Sequence, residues 1–253
     1  MQEKIKLSLT VSQHFNKVYP HIVNYTDALV VRDVNNIPNL NLKKSFHMNG
    51  FIDDDFDNVF KDDFFYKLKL NNINHLSFDL GPSCKKIVFK ECNLADGPIF
   101  SKEQILEIGL CKIKQIRSKY NGIIALENLD YHEGGAYEHI CDPDFINYFV
   151  RKLDVKLALD IGHMNVSSYV KGLGIDEYLR ELPLDKLVEL HVSHANKGDD
   201  THGVLEESDY AIIDKIFSIK RPDFVVFEYF KDSSIIIDEQ IKIYNFLRGH
   251  NNR

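Results

Sequence analysis

Several features are scarce in this 253-residue chain, and each scarcity narrows its class. Four cysteines, Cys84, Cys92, Cys111 and Cys141, make no C-x-x-C pair; they read as reduced intracellular thiols serving mainly as packing residues. No apolar run approaches the length needed to span a membrane. The first residues, MQEKIKLSLT, interleave charge with a strand-like alternation and lack a signal-peptide layout. A cytoplasmic protein with no membrane partner is the expectation. Positive charge is also short: 31 Lys and Arg stand against 38 Asp and Glu, a formal charge of −7. That balance disfavours a nucleic-acid surface, which needs a local Lys/Arg excess. There is no linker, low-complexity tract or second domain, so residues 1–253 read as a single domain.

What the chain has in quantity is short apolar runs. Ile5–Val11, Ala28–Arg32, Lys44–Met48, His75–Leu80, Ile123–Glu127, Val155–Asp160, Leu187–His191 and Phe224–Glu228 read as strands, and Ile87–Phe89 as a further short one. Helices are expected over 12–19 (stopping at Pro20), 53–63, 175–182, 208–217 and 235–247. Two more have start signals: Ser101 and Gln104 form a possible capping box for a helix to about Tyr120, and Asp142-Pro143 opens one through Leu153. Near-continuous apolar strands are buried on both faces, as in a parallel sheet. Repeated βα units in this number predict a single (β/α)8 TIM barrel. A doubly wound open sheet is the alternative, but no glycine-rich phosphate loop follows the first strand.

The strand ends carry the chemistry. Asp160 and His163 form D-x-x-H after one apolar run, His191 closes LVELH, and Asp200 and His202 form D-x-H beyond it. His47 and His75 lie on the third and fourth strands, Glu127 ends the fifth and Glu228 the eighth. Carboxylates and imidazoles are the ligand set for divalent iron, manganese or zinc. Taken singly, each has a blander reading: an ion-pair partner, a surface histidine, a solvated loop acid. Their order along successive strand ends favours a multinuclear metal site at the C-terminal mouth of the barrel. Asn128 and His194 are candidates to support the ligands from behind.

The stretches LDIGHMNVSSYVKGLGIDEYLRELPLDKLVELHVSH, DTHGVLEESDYAIIDKIF and FVVFEYFKD, with HLSFDLG around His75, resemble the multinuclear non-heme iron-dependent oxidative enzymes. These are xylose isomerase-like barrels that modify ribosomally synthesised peptides. The likeness is clearest over Ile123–Lys231 and weak before residue 44. It implies two or three iron ions, dioxygen as oxidant, a precursor peptide modified at cysteine, and a partner protein that delivers the peptide. By position, Glu127, Asp160, His191 and Glu228 would hold a central iron. His47 and His75 would hold a second, with Glu127 bridging, and His163, Asp200 and His202 a third. At the His163 position many family members carry Asn. The same ligand order resembles endonuclease IV, a zinc barrel acting on abasic DNA; the acidic balance and the lack of basic, aromatic-rich loops stand against it. A sugar isomerase or epimerase is a third reading, and a metal-storing barrel a non-enzymatic one.

Overall fold

The structure is a computed structural model that describes residues 4–51, 60, 62–89 and 93–251. Eight parallel strands close into a barrel in chain order: β1 (Lys6–Thr10), β2 (Ala28–Val31), β3 (Lys43–Met48), β4 (His75–Asp79), β5 (Ile123–Glu127), β6 (Lys156–Asp160), β7 (Leu187–Val192) and β8 (Phe224–Phe227). Strand β8 pairs with β1 to complete the ring, Lys6 opposite Phe224 and Ser8 opposite Val226. The expected barrel is therefore the one observed, and the eight short apolar runs are its staves.

Helices connect the staves: α1 (Phe15–Ile22), α2 (Asp62–Leu70), α3 (Lys102–Arg117), α4 (Pro143–Lys152), α5 (Ile161–Lys171), α6 (Ile175–Glu181), α7 (Glu207–Ile219) and α8 (Ser233–Asn251). The Ser101–Gln104 capping box is present in full at the start of α3. Pro143 is the first residue of α4, but the Asp142 side chain caps nothing there; it binds Lys171 Nζ at 2.7 Å instead. Pro20 does not end α1, which continues to Ile22. The proline falls in the last turn, and the buried Phe15, Val18 and Ile22 keep that turn packed. The helix expected over 53–63 lies largely outside the described residues. Helix α5 is an addition to the sequence reading.

Two hairpins sit outside the barrel. Lys86–Phe89 pairs with Asn93–Asp96, and His194–Asn196 pairs with Asp199–Gly203. The second carries two ligand candidates in what the sequence suggested was open loop. Its turn passes through Gly198 at φ +75, a left-handed conformation that glycine adopts without steric cost.

Register decides what the barrel encloses. Side chains alternate across a strand, so residues two apart share a face. Paired residues across the sheet share it too: His47 with Ser77, Asp79 with Glu127, Asp160 with His191, and His191 with Val226. The inward face therefore reads Ser45, His47; His75, Ser77, Asp79; Ala125, Glu127; Ala158, Asp160; Glu189, His191. The opposite face supplies Leu76, Phe78, Leu126, Leu157, Leu159 and Leu190, all buried under the helices. The apolar core is thus the layer between barrel and helices, while the lumen is lined mainly by small and polar side chains, with Phe224 and Val226 among them.

Candidate metal centre

The inward alternation places four buried groups at the mouth: Glu127, Asp160, His191 and Glu228 each present a ligand atom, mutually within 4.8 Å. A second group shares two of them, His47 with Glu127 and His191. The third is His163, Asp200 and His202, again within 4.8 Å of one another. Eight of the nine candidates named from the sequence are brought together this way.

His75 is the exception. It is the first residue of β4, at the end of the barrel opposite the mouth, and belongs to none of the three groups. The run HLSFD begins with the histidine and ends with the acid, so Asp79 is what β4 delivers to the mouth. Asp79 Oδ1 lies 3.1 Å from His47 Nε2. The sequence reading placed His75 on the fourth strand and, by resemblance, in the second iron group, while the strand brings its last residue to the mouth and its first to the base. The strand's direction was the available signal for Asp79.

The atoms themselves favour a cation. His191 Nε2 lies 3.1 Å from Glu189 Oε1, and a carboxylate can only accept, so that nitrogen carries a proton. The other nitrogen, Nδ1, then faces Glu127 Oε2 at 3.0 Å and Glu228 Oε1 at 3.2 Å. Neither Nδ1 nor Glu127 Oε2 has a hydrogen-bond partner, and Asp160 Oδ2 has none either. Buried polar atoms left this way are costly unless a proton or metal lies among them. At His163 the pattern repeats. Its Nδ1 lies 2.9 Å from the Asn128 carbonyl, which leaves Nε2 facing Asp200 Oδ2 at 3.4 Å. His202 Nε2 comes within 3.0 Å of the same oxygen. The residues present fit divalent metal ions.

Local structure fixes each ligand. Asp160 is both the last residue of β6 and the N-cap of α5: its Oδ1 accepts from the His163 backbone N–H at 2.7 Å, which commits one oxygen and leaves Oδ2 for the site. Asn128 clamps the Asp160 backbone from both sides, donating to its carbonyl at 3.0 Å and accepting from its N–H at 2.8 Å. Gly162 makes room for this crowding; a Cβ there would stand 2.8 Å from Ser193 Oγ, 3.1 Å from Asp160 Oδ1 and 3.2 Å from Asp200 Oδ1. His202 holds φ +41, a conformation that a non-glycine residue keeps only when its surroundings enforce it. His194 faces away from the ligands, its Nδ1 2.8 Å from Asp209 Oδ2.

Electrostatics tell the same story. Burial pushes the Asp160 carboxyl up to about 7; His163 opposes this, and Glu127, Asp200 and Glu228 add to it. Burial would likewise raise Glu228, but His191 and Arg32 hold it well below the usual carboxylate range. Burial disfavours charge on His191, yet Glu127 and Glu228 raise it well above the ordinary imidazole value. His163 is raised in the same way by Asp160 and Asp200. The shifts of Asp160, His163 and His191 all favour holding a proton, and a metal ion bound there would compete with it.

Three further residues at the mouth were not singled out from the sequence. Arg32, just past β2, places Nη2 2.6 Å from Glu228 Oε1. His132 Nε2 lies 2.7 Å from Asp130 Oδ2. Both line a cavity of about 420 Å³ over the ligands, together with Asp79, Tyr137, Asp199 and Phe230. Only their three-dimensional position reveals them.

Comparison with known proteins gives this geometry a context. The family model described as RiPP precursor modification enzyme MbnB/TglH/ChrH matches residues 75–237, more than half of the chain. Among curated proteins, a UPF0276 protein of Paraburkholderia phytofirmans is 28% identical over 112 residues, covering 43% of this chain and 36% of the relative. A UPF0276 protein of Nitrosospira multiformis is 24% identical over 127 residues, covering 48% and 43%. The chain thus spans well under half the length of these relatives. Among solved structures, D-psicose 3-epimerase from Clostridium cellulolyticum aligns with a TM-score of 0.68 at 12% identity, over 96% of this chain and 98% of the other. Endonuclease IV from Thermus thermophilus aligns at 0.62 and 11%, over 97% and 99%. At such identities these two show the xylose isomerase-like barrel and nothing finer.

Proposed function

This chain belongs to the family of RiPP precursor modification enzymes MbnB/TglH/ChrH, and from that premise we propose that it is a multinuclear iron-dependent oxidase. Its substrate is a ribosomally synthesised peptide modified at cysteine, dioxygen is the oxidant, and a partner protein delivers the peptide. The observation that carries this reading is the sharing of Glu127 between two ligand groups. A carboxylate has two oxygens and can serve two ions, whereas His191, with Nε2 turned to Glu189, has one lone pair for one ion. Bound iron would supply the one-electron chemistry toward dioxygen that no side chain here offers, and a soft cysteine thiolate is a group such a centre accepts.

The chain's own residues do the rest. Glu127, Asp160, His191 and Glu228 form a dry floor in which electrostatic interactions are strong. Arg32 holds one oxygen of Glu228 and limits its freedom to shift. Asn128 fixes both Asp160 and, through its carbonyl, the orientation of His163. The peptide would enter through the mouth cavity, where Arg32 and the His132–Asp130 pair are among the groups able to meet its polar atoms.

The acidic mouth does not suit the phosphodiester backbone of abasic DNA. Asp130 and Asp199, acids outside the three ligand groups, line the approach, and they would repel it. The test is to incubate the anaerobically purified, iron-loaded protein with cysteine-containing precursor peptides and dioxygen, then weigh the peptide by mass spectrometry. The reading predicts a mass change that needs both iron and dioxygen and vanishes in Glu127→Ala. Cleavage of abasic-site DNA with no change in any such peptide would overturn it.

A further inference from the structure

The lumen below the metal site holds a buried charge that the ligand groups do not use. Glu189 lies on β7, two residues before His191 and on the same inward face. It is fully buried, as is His191, and His75 is 4% exposed. One carboxylate oxygen, Oε1, is 3.1 Å from His191 Nε2. The other, Oε2, is 2.7 Å from His75 Nε2, a close contact set off the ideal hydrogen-bond direction. The three groups run up the barrel axis from its base to its mouth. His75 is itself steadied by Phe224, whose ring meets it edge-on at 5.3 Å between centroids.

We propose that Glu189, clamped by His75, is the positioning residue that selects which nitrogen of His191 binds metal. The proposal rests on the reading of His191 as a ligand. A neutral imidazole has one N–H and one lone pair. Glu189 can only accept, so it draws the proton to Nε2 and turns the lone pair of Nδ1 toward Glu127 and Glu228. A carboxylate behind a ligating histidine also makes that histidine a better donor. His75 holds the second oxygen, so Glu189 cannot rotate away from His191. A simple buried ion pair would need neither the alignment with Nδ1 nor the shared inward face.

The same geometry gives His75 a place. It is not a ligand at the mouth but the lower anchor of a three-residue column, with the carboxylate between two imidazoles.

The test uses Zn²⁺ alone, with no peptide and no oxygen, on the full chain labelled with ¹⁵N-histidine. In the zinc-loaded wild type, His191 is expected to keep its proton on Nε2 and to coordinate through Nδ1; coordination through Nε2 would overturn the proposal. Glu189→Met, similar in size but without an acceptor, is expected to weaken zinc binding about 10- to 100-fold, the usual effect of losing such a support. Glu189→Gln, which still offers a carbonyl oxygen, should recover most of that loss. Unchanged zinc affinity in a folded Glu189→Met protein would also overturn it. His191→Ala separates the underlying assumption: if zinc content is indifferent to that change, His191 is not a ligand and the metal reading fails first.

Discussion

The two ends of the barrel are opposites. At the mouth, acids and imidazoles are buried together around a cavity of about 420 Å³. At the base, a larger cavity of about 720 Å³ is ringed by Lys6, Lys43, Lys44, Arg117 and Lys156, with Asp154 and Asp223 among them. Three of the base cations have local partners. Lys44 Nζ donates to the Leu40 carbonyl at 2.7 Å, Arg117 Nη2 to the Asp154 carbonyl at 2.7 Å, and Lys6 Nζ lies 5.5 Å from the Phe224 ring centroid. At the mouth, Glu127 Oε2 and Asp160 Oδ2 lack partners where water does not reach. Cavity size therefore does not locate the chemistry here. Unanswered buried charge does, because solvent can neutralise the half-exposed lysines but not the carboxylates inside the barrel.

The comparison is broken most severely by removing the shared acid. Glu127→Ala takes an oxygen from two ligand groups at once, so metal content should fall to near zero and peptide oxidation by at least about 100-fold, since residues acting as one unit fail together. Elemental analysis and a turnover assay read both.

Gly162→Ala attacks the crowding instead. The new methyl group would press on Asp160 and Asp200, with an expected destabilisation of about 1–3 kcal/mol. Metal binding should weaken at both groups the methyl touches, through Asp160 and through Asp200, which a titration of metal stoichiometry would show.

Acidity sharpens the contrast between the ends. In the metal-free protein Asp160 is raised to about 7, so the folded state binds a proton there that the unfolded chain releases near its ordinary value of about 3.9. The stability of the metal-free protein should accordingly fall as pH rises between about 4 and 7. Metal must displace that proton, so affinity should weaken as pH drops below about 7, and metal binding should release protons measurable by calorimetry in two buffers. Lys43→Ala at the exposed base is the smallest change. Stability should stay within about 0.5 kcal/mol of the parent by denaturant melt, and metal content should not move.

Much of this was legible in the chain. The staves were readable because parallel barrel strands are buried on both faces and appear as apolar runs, and the mouth acids because they stand where those runs stop. Three things were less so. Helix α5 was hidden because IGHMNVSSYVK mixes glycine, β-branched and small polar residues with weak helical propensity; Asp160 as its N-cap and packing under the hairpin decide it. His75 falls away from the mouth because it opens its strand rather than closing it. Glu189 was overlooked inside LVELH, although its two-residue spacing from His191 assigns it to the lumen. Arg32 and the His132–Asp130 pair lie in connecting segments, where no periodicity marks which side chain turns inward.

The central claim is that the mouth is a multinuclear iron centre. Its most direct test is the metal content, by elemental analysis, of protein purified without oxygen, measured beside Glu127→Ala. The account predicts two or three irons per chain in the parent and almost none in the variant. Stoichiometric zinc with no iron, or iron content indifferent to Glu127, would contradict it.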